Sequence, residues 1–96
     1  MSANRSIVLG TTITGTGAEE AKGASPSRGI IFRLTGTFVG TVALQGSMDG
    51  TNWDTVASAT DETPQYVQDR PYTEWRANCT AYTSGTIDEA RMGFAD

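Results

Sequence analysis

Histidine is absent from this chain, cysteine and lysine occur once each, and charged residues make up only 19% of the 96 positions. Each scarcity removes a class of function. Without histidine there is no imidazole for a metal, no base poised near neutral pH and no nucleophile–histidine pair. The lone Cys79 cannot close an internal disulfide, and its place in an alternating apolar run reads as a small buried hydrophobe, not a reactive thiol. Lys22 and scattered single arginines leave a net charge of −4, the wrong sign and distribution for a nucleic-acid backbone, which is bound by clustered cations. No apolar run approaches the roughly 20 residues that cross a membrane, and the start MSANRSIVLG lacks the apolar stretch of an export signal. The expectation is a soluble product of a reducing cytoplasm that binds neither nucleic acid nor membrane.

What remains is threonine, glycine and short apolar alternation. A chain of 10.2 kDa has room for one domain, spanning 1–96, and surface scaling leaves about 5,300 Å² of it exposed, so the core is lean. Apolar residues recur with period two and turn residues punctuate the chain at intervals of about eight to twelve. This predicts an all-β fold, a single antiparallel β-sandwich that is jelly-roll-like and has about seven strands. The strands are read at 6–14, 30–38, 41–47, 53–59, 65–68, 73–83 and 86–94. Gly10 points to a bulge in the first of them. Gly36 and Gly40 bracket a turn, Asp49-Gly50 forms a two-residue hairpin turn with positive φ at both positions, and Ser84-Gly85 closes a second tight hairpin. The inward residues are Ile7, Leu9, Ile30, Phe32, Leu34, Val42, Leu44, Trp53, Val56, Trp75, Ala77, Cys79, Ile87 and Phe94. Residues 15–29, GTGAEEAKGASPSRG, have almost nothing to bury and read as a flexible Gly/Ala/Ser-rich loop that reaches toward a partner.

The carboxylates come nearest to a reactive constellation. Asp49, Asp54, Asp61, Glu62, Asp69, Glu74, Asp88 and Glu89 nevertheless fall in turns or on outward strand positions, where they stay solvated and ionised. Asp61-Glu62 and Asp88-Glu89 could offer oxygen ligands to Ca²⁺, but their spacing is not that of an EF-hand and surface charge explains them. The expectation is no enzyme, no metal and no cofactor.

Two groups of residues suggest contacts instead of catalysis. The run from Ser47 to Trp53, SMDGTNW, resembles the Asp-box of sialidase-type propellers, one residue short. In those proteins the motif is a fold element, and its physics suits that role here: Ser and Asp side chains bond nearby amides while the Trp packs beneath. Among the aromatics, Trp53 and Trp75 share strand phases with small residues and read as core, whereas Tyr66, Tyr72 and Tyr82 suit an interface. The candidate partner contacts are Glu19, Lys22, Arg28, Tyr66, Arg70, Tyr72 and Tyr82.

FVGTVALQGSMDGTNWDTV followed by EWRANCTAYTSGTIDEARMGF resembles small virion proteins of tailed bacteriophages. The motif segments are residues 36–42, 47–53, 75–77 and 83–86, and the likeness covers roughly residues 30–95. The resemblance implies a capsid cement or decoration protein, a homotrimer that sits on the capsid surface and bridges major capsid subunits. It carries no catalytic residues. A tail, neck or fibre component of the same build and a carbohydrate-binding module using the aromatics are the alternatives.

Overall fold

The computed structural model describes residues 4–24, 29–68 and 72–95. Seven strands form one continuous antiparallel sheet: β1 (Asn4–Ile13), β2 (Gly17–Ala18), β3 (Lys22–Gly23), β4 (Ile30–Ser47), β5 (Asp54–Ala59), β6 (Gln65–Val67) and β7 (Glu74–Ala95). The fold class is therefore the expected one, all-β and sandwich-like.

Strand length dictates how one sheet becomes two layers. At about 3.3 Å per residue, the 18 residues of β4 would run to roughly 60 Å if straight, whereas the longest dimension of the molecule is 40 Å. The β4–β7 ribbon must therefore double over. It does so where the register slips, at Thr35/Gly36, Val39/Gly40 and Thr41/Val42, because an extra unpaired residue bends and twists a strand. Before the bend Ile30, Phe32 and Leu34 point inward; after it Val42 and Leu44 do, and all five belong to one buried cluster. From β7 that cluster receives Trp75, Ala77, Cys79, Ile87, Ala90, Met92 and Phe94. The accessible surface, 5198 Å², is close to the scaling value for a chain of this mass.

Several sequence expectations change here. Gly36 and Gly40 do not bracket a reversal, and Ser84-Gly85 does not close a hairpin: both sites lie inside continuous strands. The turn chemistry was real, since Gly36 and Gly85 have φ of 120° and 89°, but each strand has the other as a partner on both sides of the bend. The positive φ of Gly36 falls at a slip of the ribbon, whereas Gly85 pairs in register with Phe38 just before the next slip. The Gly10 bulge is present, as a slip between Val8 and Gly10 against β7.

The supposed loop at 15–29 is also more ordered where it is described. Gly17–Ala18 pairs with Asn78–Cys79 of β7, and Lys22–Gly23 pairs with Glu74–Trp75. Between and beyond these strands the Glu19 amide donates to the Ala77 carbonyl at 2.8 Å and the Ala24 amide to the Thr73 carbonyl at 3.1 Å. Apolarity was the wrong guide, because the edge of β7 needs backbone partners that any sequence can supply. Arg28 lies outside the described residues, as does Arg70.

The core differs at its margins. Trp53 is half-buried, and Ile7 and Val56 only pack against the cluster from outside, whereas Ile13, Ala59, Ala90 and Met92 are inside it.

Candidate functional site

The connection from β4 to β5 spans residues 48–53 and is built by two side chains. Ser47 is fully buried, and its Oγ accepts from the amides of Asp49 (3.2 Å) and Gly50 (2.8 Å). The Asp49 carboxylate accepts from the amides of Thr51 and Asn52, both at 2.8 Å, and from Asn52 Nδ2 at 2.8 Å. The expected Asp-Gly two-residue turn is replaced by this longer one, in which Gly50 alone takes positive φ, at 77°. The Asp49 side chain satisfies the turn's amides, and positive φ at that residue is unnecessary.

Those same hydrogen bonds, led by the Asn52 and Thr51 amides, hold the Asp49 carboxyl well below the usual carboxylate range. A depressed folded-state pKa adds stability above the unfolded value of 3.8 and loses it as pH falls toward the folded value. Asp49→Asn is therefore expected to be less stable than wild type at pH 7, with the gap narrowing below pH ~4. Urea midpoints at pH 7 and pH 3 check this, and a constant gap would count against it.

Behind the turn, Gln45 is nearly buried on the outer phase of β4. Its Nε2 donates to Thr55 Oγ1 (3.1 Å), and its Oε1 accepts from Arg76 Nε (2.8 Å). The Arg76 guanidinium stacks over the Trp53 ring, 4.3 Å from its centroid. Trp53 thus covers a polar cluster, which explains its partial exposure.

The other half of the sheet has a different outer face. Register brings Ser6, Gly93, Ile31 and Tyr66 into one row across β1, β7, β4 and β6, and Val8, Arg91 and Arg33 into the next. Two arginines therefore sit opposite one another. Arg91 is neutralised by Glu89, with Nε to Oε1 at 2.7 Å, and also donates to Ser6 Oγ. This pairing holds Glu89 below the usual carboxylate range. Arg33 donates only to the Glu62 carbonyl, at 3.3 Å, and its guanidinium meets no carboxylate among the described residues.

The candidate contacts named from sequence are scattered. Tyr66 is 75% exposed on the row just described. Tyr72 is half-buried: it lies over Gly46, meets Trp75 edge-on at 5.5 Å and donates its hydroxyl to Asp54 Oδ2. Tyr82 is also half-buried, and its hydroxyl donates to the Gly85 carbonyl. Glu19 covers Gly10 beside β1, and Lys22 lies 3.6 Å from Glu20. Sequence reasoning missed Ile31, Arg33, Met48 and Arg91. The outward phase of Ile31 was legible in the Ile30-Ile31 doublet, but the row it joins exists only through register.

Two further carboxylates, those of Asp61 and Glu62, have local tasks. Asp61 accepts from the Thr63 amide, and Glu62 Oε2 accepts from the Gly36 amide at 2.9 Å, tying the 60–64 turn to the bend. An open groove of about 630 Å³ lies there, lined by Arg33, Phe38, Asp61 and Glu62. Burial pushes the Cys79 thiol up in pKa. Among the described residues, no three metal-ligating side chains converge, and no helix is long and apolar enough to cross a membrane. No family model matches the chain, and no curated protein or solved structure matches it.

Proposed function

We propose that this protein is a structural component of a bacteriophage virion, a capsid cement or decoration protein that stabilises the head by bridging major capsid subunits. The observation that carries the reading is where the resemblance falls. Residues 36–42, 75–77 and 83–86 lie on β4 and β7, and residues 47–53 are the end of β4 and the turn after it. The likeness therefore concerns the central ribbon and its turn, the framework of the fold.

The chemistry supports the same role. Asp49, Asp54, Asp61, Glu62 and Glu89 each accept a hydrogen bond that shapes the chain, which is work for a scaffold. A lean domain gains stability when neighbours bind only its folded form, and many copies on a lattice multiply weak contacts. The proposed partners are the major capsid protein and further copies of this chain, arranged as a homotrimer on the capsid surface.

Capsids stripped of this protein, mixed with the purified chain and sedimented, are expected to take it up to a saturating stoichiometry close to that of the major capsid protein. They should then resist heating better. Absence of binding would overturn the proposal, and uptake of only a few copies would move the protein to the tail or neck.

A further inference from the structure

Four large apolar side chains stand exposed among the described residues: Ile31 at 41%, Val39 at 58%, Met48 at 72% and Tyr66 at 75%. Three of them stand in two patches, one beside Arg33, which meets no carboxylate among the described residues, and one beside the Asp49 and Glu74 carboxylates. Ile31 and Tyr66 are cross-strand partners beside Arg33 and Arg91. The floor next to them is Gly93, which presents no side chain; a Cβ built there would make an ordinary contact with the Arg5 carbonyl oxygen, at 3.9 Å. Met48 stands on the β4–β5 turn beside Asp49, and the Glu74 carboxylate lies over Gly50 of the same turn. Asp54 follows at the start of β5.

We infer that these patches are two halves of one contact between copies of this chain: the turn carrying Met48 and Asp49 docks on the face formed by Ile31, Tyr66, Arg33 and Arg91 of a second copy. Charge selects this occupant. Glu89 neutralises Arg91, but Arg33 opposite it meets no carboxylate among the described residues, so this face carries one unpaired cation. A second copy presents the Asp49 and Glu74 carboxylates on the turn that carries the exposed Met48, which complements apolar side chains beside one unpaired guanidinium.

The contact is heterologous, because one copy offers its turn and the other its sheet face. The pair then retains one free face, on the copy that gave its turn, and one free turn, on the other, so the contact either closes into a ring or extends into a chain. A homotrimer of the kind proposed above is one such ring. This inference goes beyond the capsid reading and stands on the two surfaces alone.

Sedimentation equilibrium of the purified chain at about 200 μM and low salt should show reversible association that weakens as added NaCl shortens the screening length. Met48→Asp and Tyr66→Asp, each placed on an exposed side chain, should each raise the dissociation constant roughly tenfold or more. Thermal melts would first establish that both variants are folded. Should Tyr66→Asp fail to fold, Arg33→Glu serves as the face variant. The decisive measurement is the mixture. Met48→Asp keeps an intact face and Tyr66→Asp an intact turn, so together they should form a one-to-one complex that neither forms alone. A monomeric wild type, association indifferent to both variants, or a mixture that remains monomeric would each overturn the inference. A monomer that still binds capsids would overturn it while leaving the capsid proposal standing.

Discussion

Trp75→Ala is expected to cost about 3–5 kcal/mol, a large part of the roughly 5–14 kcal/mol that holds a domain of this size together. Trp75 is fully buried and the largest side chain of the core. Its indole meets the Tyr72 ring edge-on, 5.5 Å between centroids, and its Nε1–H donates to the Ala24 carbonyl at 3.1 Å. Truncation removes the transfer energy of the indole, opens a cavity that the flanking strands can only partly close, and leaves the Ala24 carbonyl without its donor. The damage should therefore reach beyond the core to the 17–24 edge, which the indole pins against β7. Urea unfolding followed by far-UV circular dichroism measures the loss. Trp75→Phe keeps most of the apolar contact and loses the hydrogen bond, so it should fall between Ala and wild type. A Trp75→Ala protein within about 1 kcal/mol of wild type would mean that this residue is not the centre of the core.

Gly85→Ala should be nearly as damaging, although it adds a single methyl group to an exposed position. Gly85 has φ of 89°, where a side chain costs about 1–2 kcal/mol in backbone strain. A Cβ there would also collide with the Thr37 carbonyl oxygen and lie 2.6 Å from Phe38 Cα. Both are backbone atoms of the paired strand, so relief requires opening the ribbon at its bend. The combined cost is expected to reach about 3 kcal/mol or more. Gly23→Ala provides the comparison. Its nearest neighbour, the Thr73 carbonyl oxygen, is 3.9 Å from a built Cβ, so that variant should stay within about 0.5 kcal/mol of wild type. Equal melting temperatures for the two variants would refute the bend as a site of backbone constraint.

The candidate surfaces were legible only in part. Tyr66 was selected from sequence as an interface residue and is exposed, but Tyr72 and Tyr82, chosen on the same grounds, spend their hydroxyls on Asp54 and the Gly85 carbonyl. A tyrosine looks the same in sequence whether its partner is a neighbouring chain or a residue of its own fold. Met48 was not among the sequence candidates, although its 72% exposure makes it one of the most accessible apolar groups described. The opposition of Arg33 and Arg91, separated by 58 positions, arises only from the pairing of β4 with β7.

Composition and period-two alternation by themselves determined that the chain is all-β, that its strands pair antiparallel, and that Phe32, Leu34, Val42, Leu44 and Trp75 face inward. Alternation reports which side of a strand is buried, and that is a local property of the chain. Tertiary structure alone decided that four expected strands fuse into two, that the Gly-rich 17–24 segment lines an edge, and that the sheet doubles over itself. The reason is physical: a glycine with positive φ serves a hairpin or a bulge equally well, and the choice falls to whichever long-range partner satisfies the backbone hydrogen bonds on both sides of it.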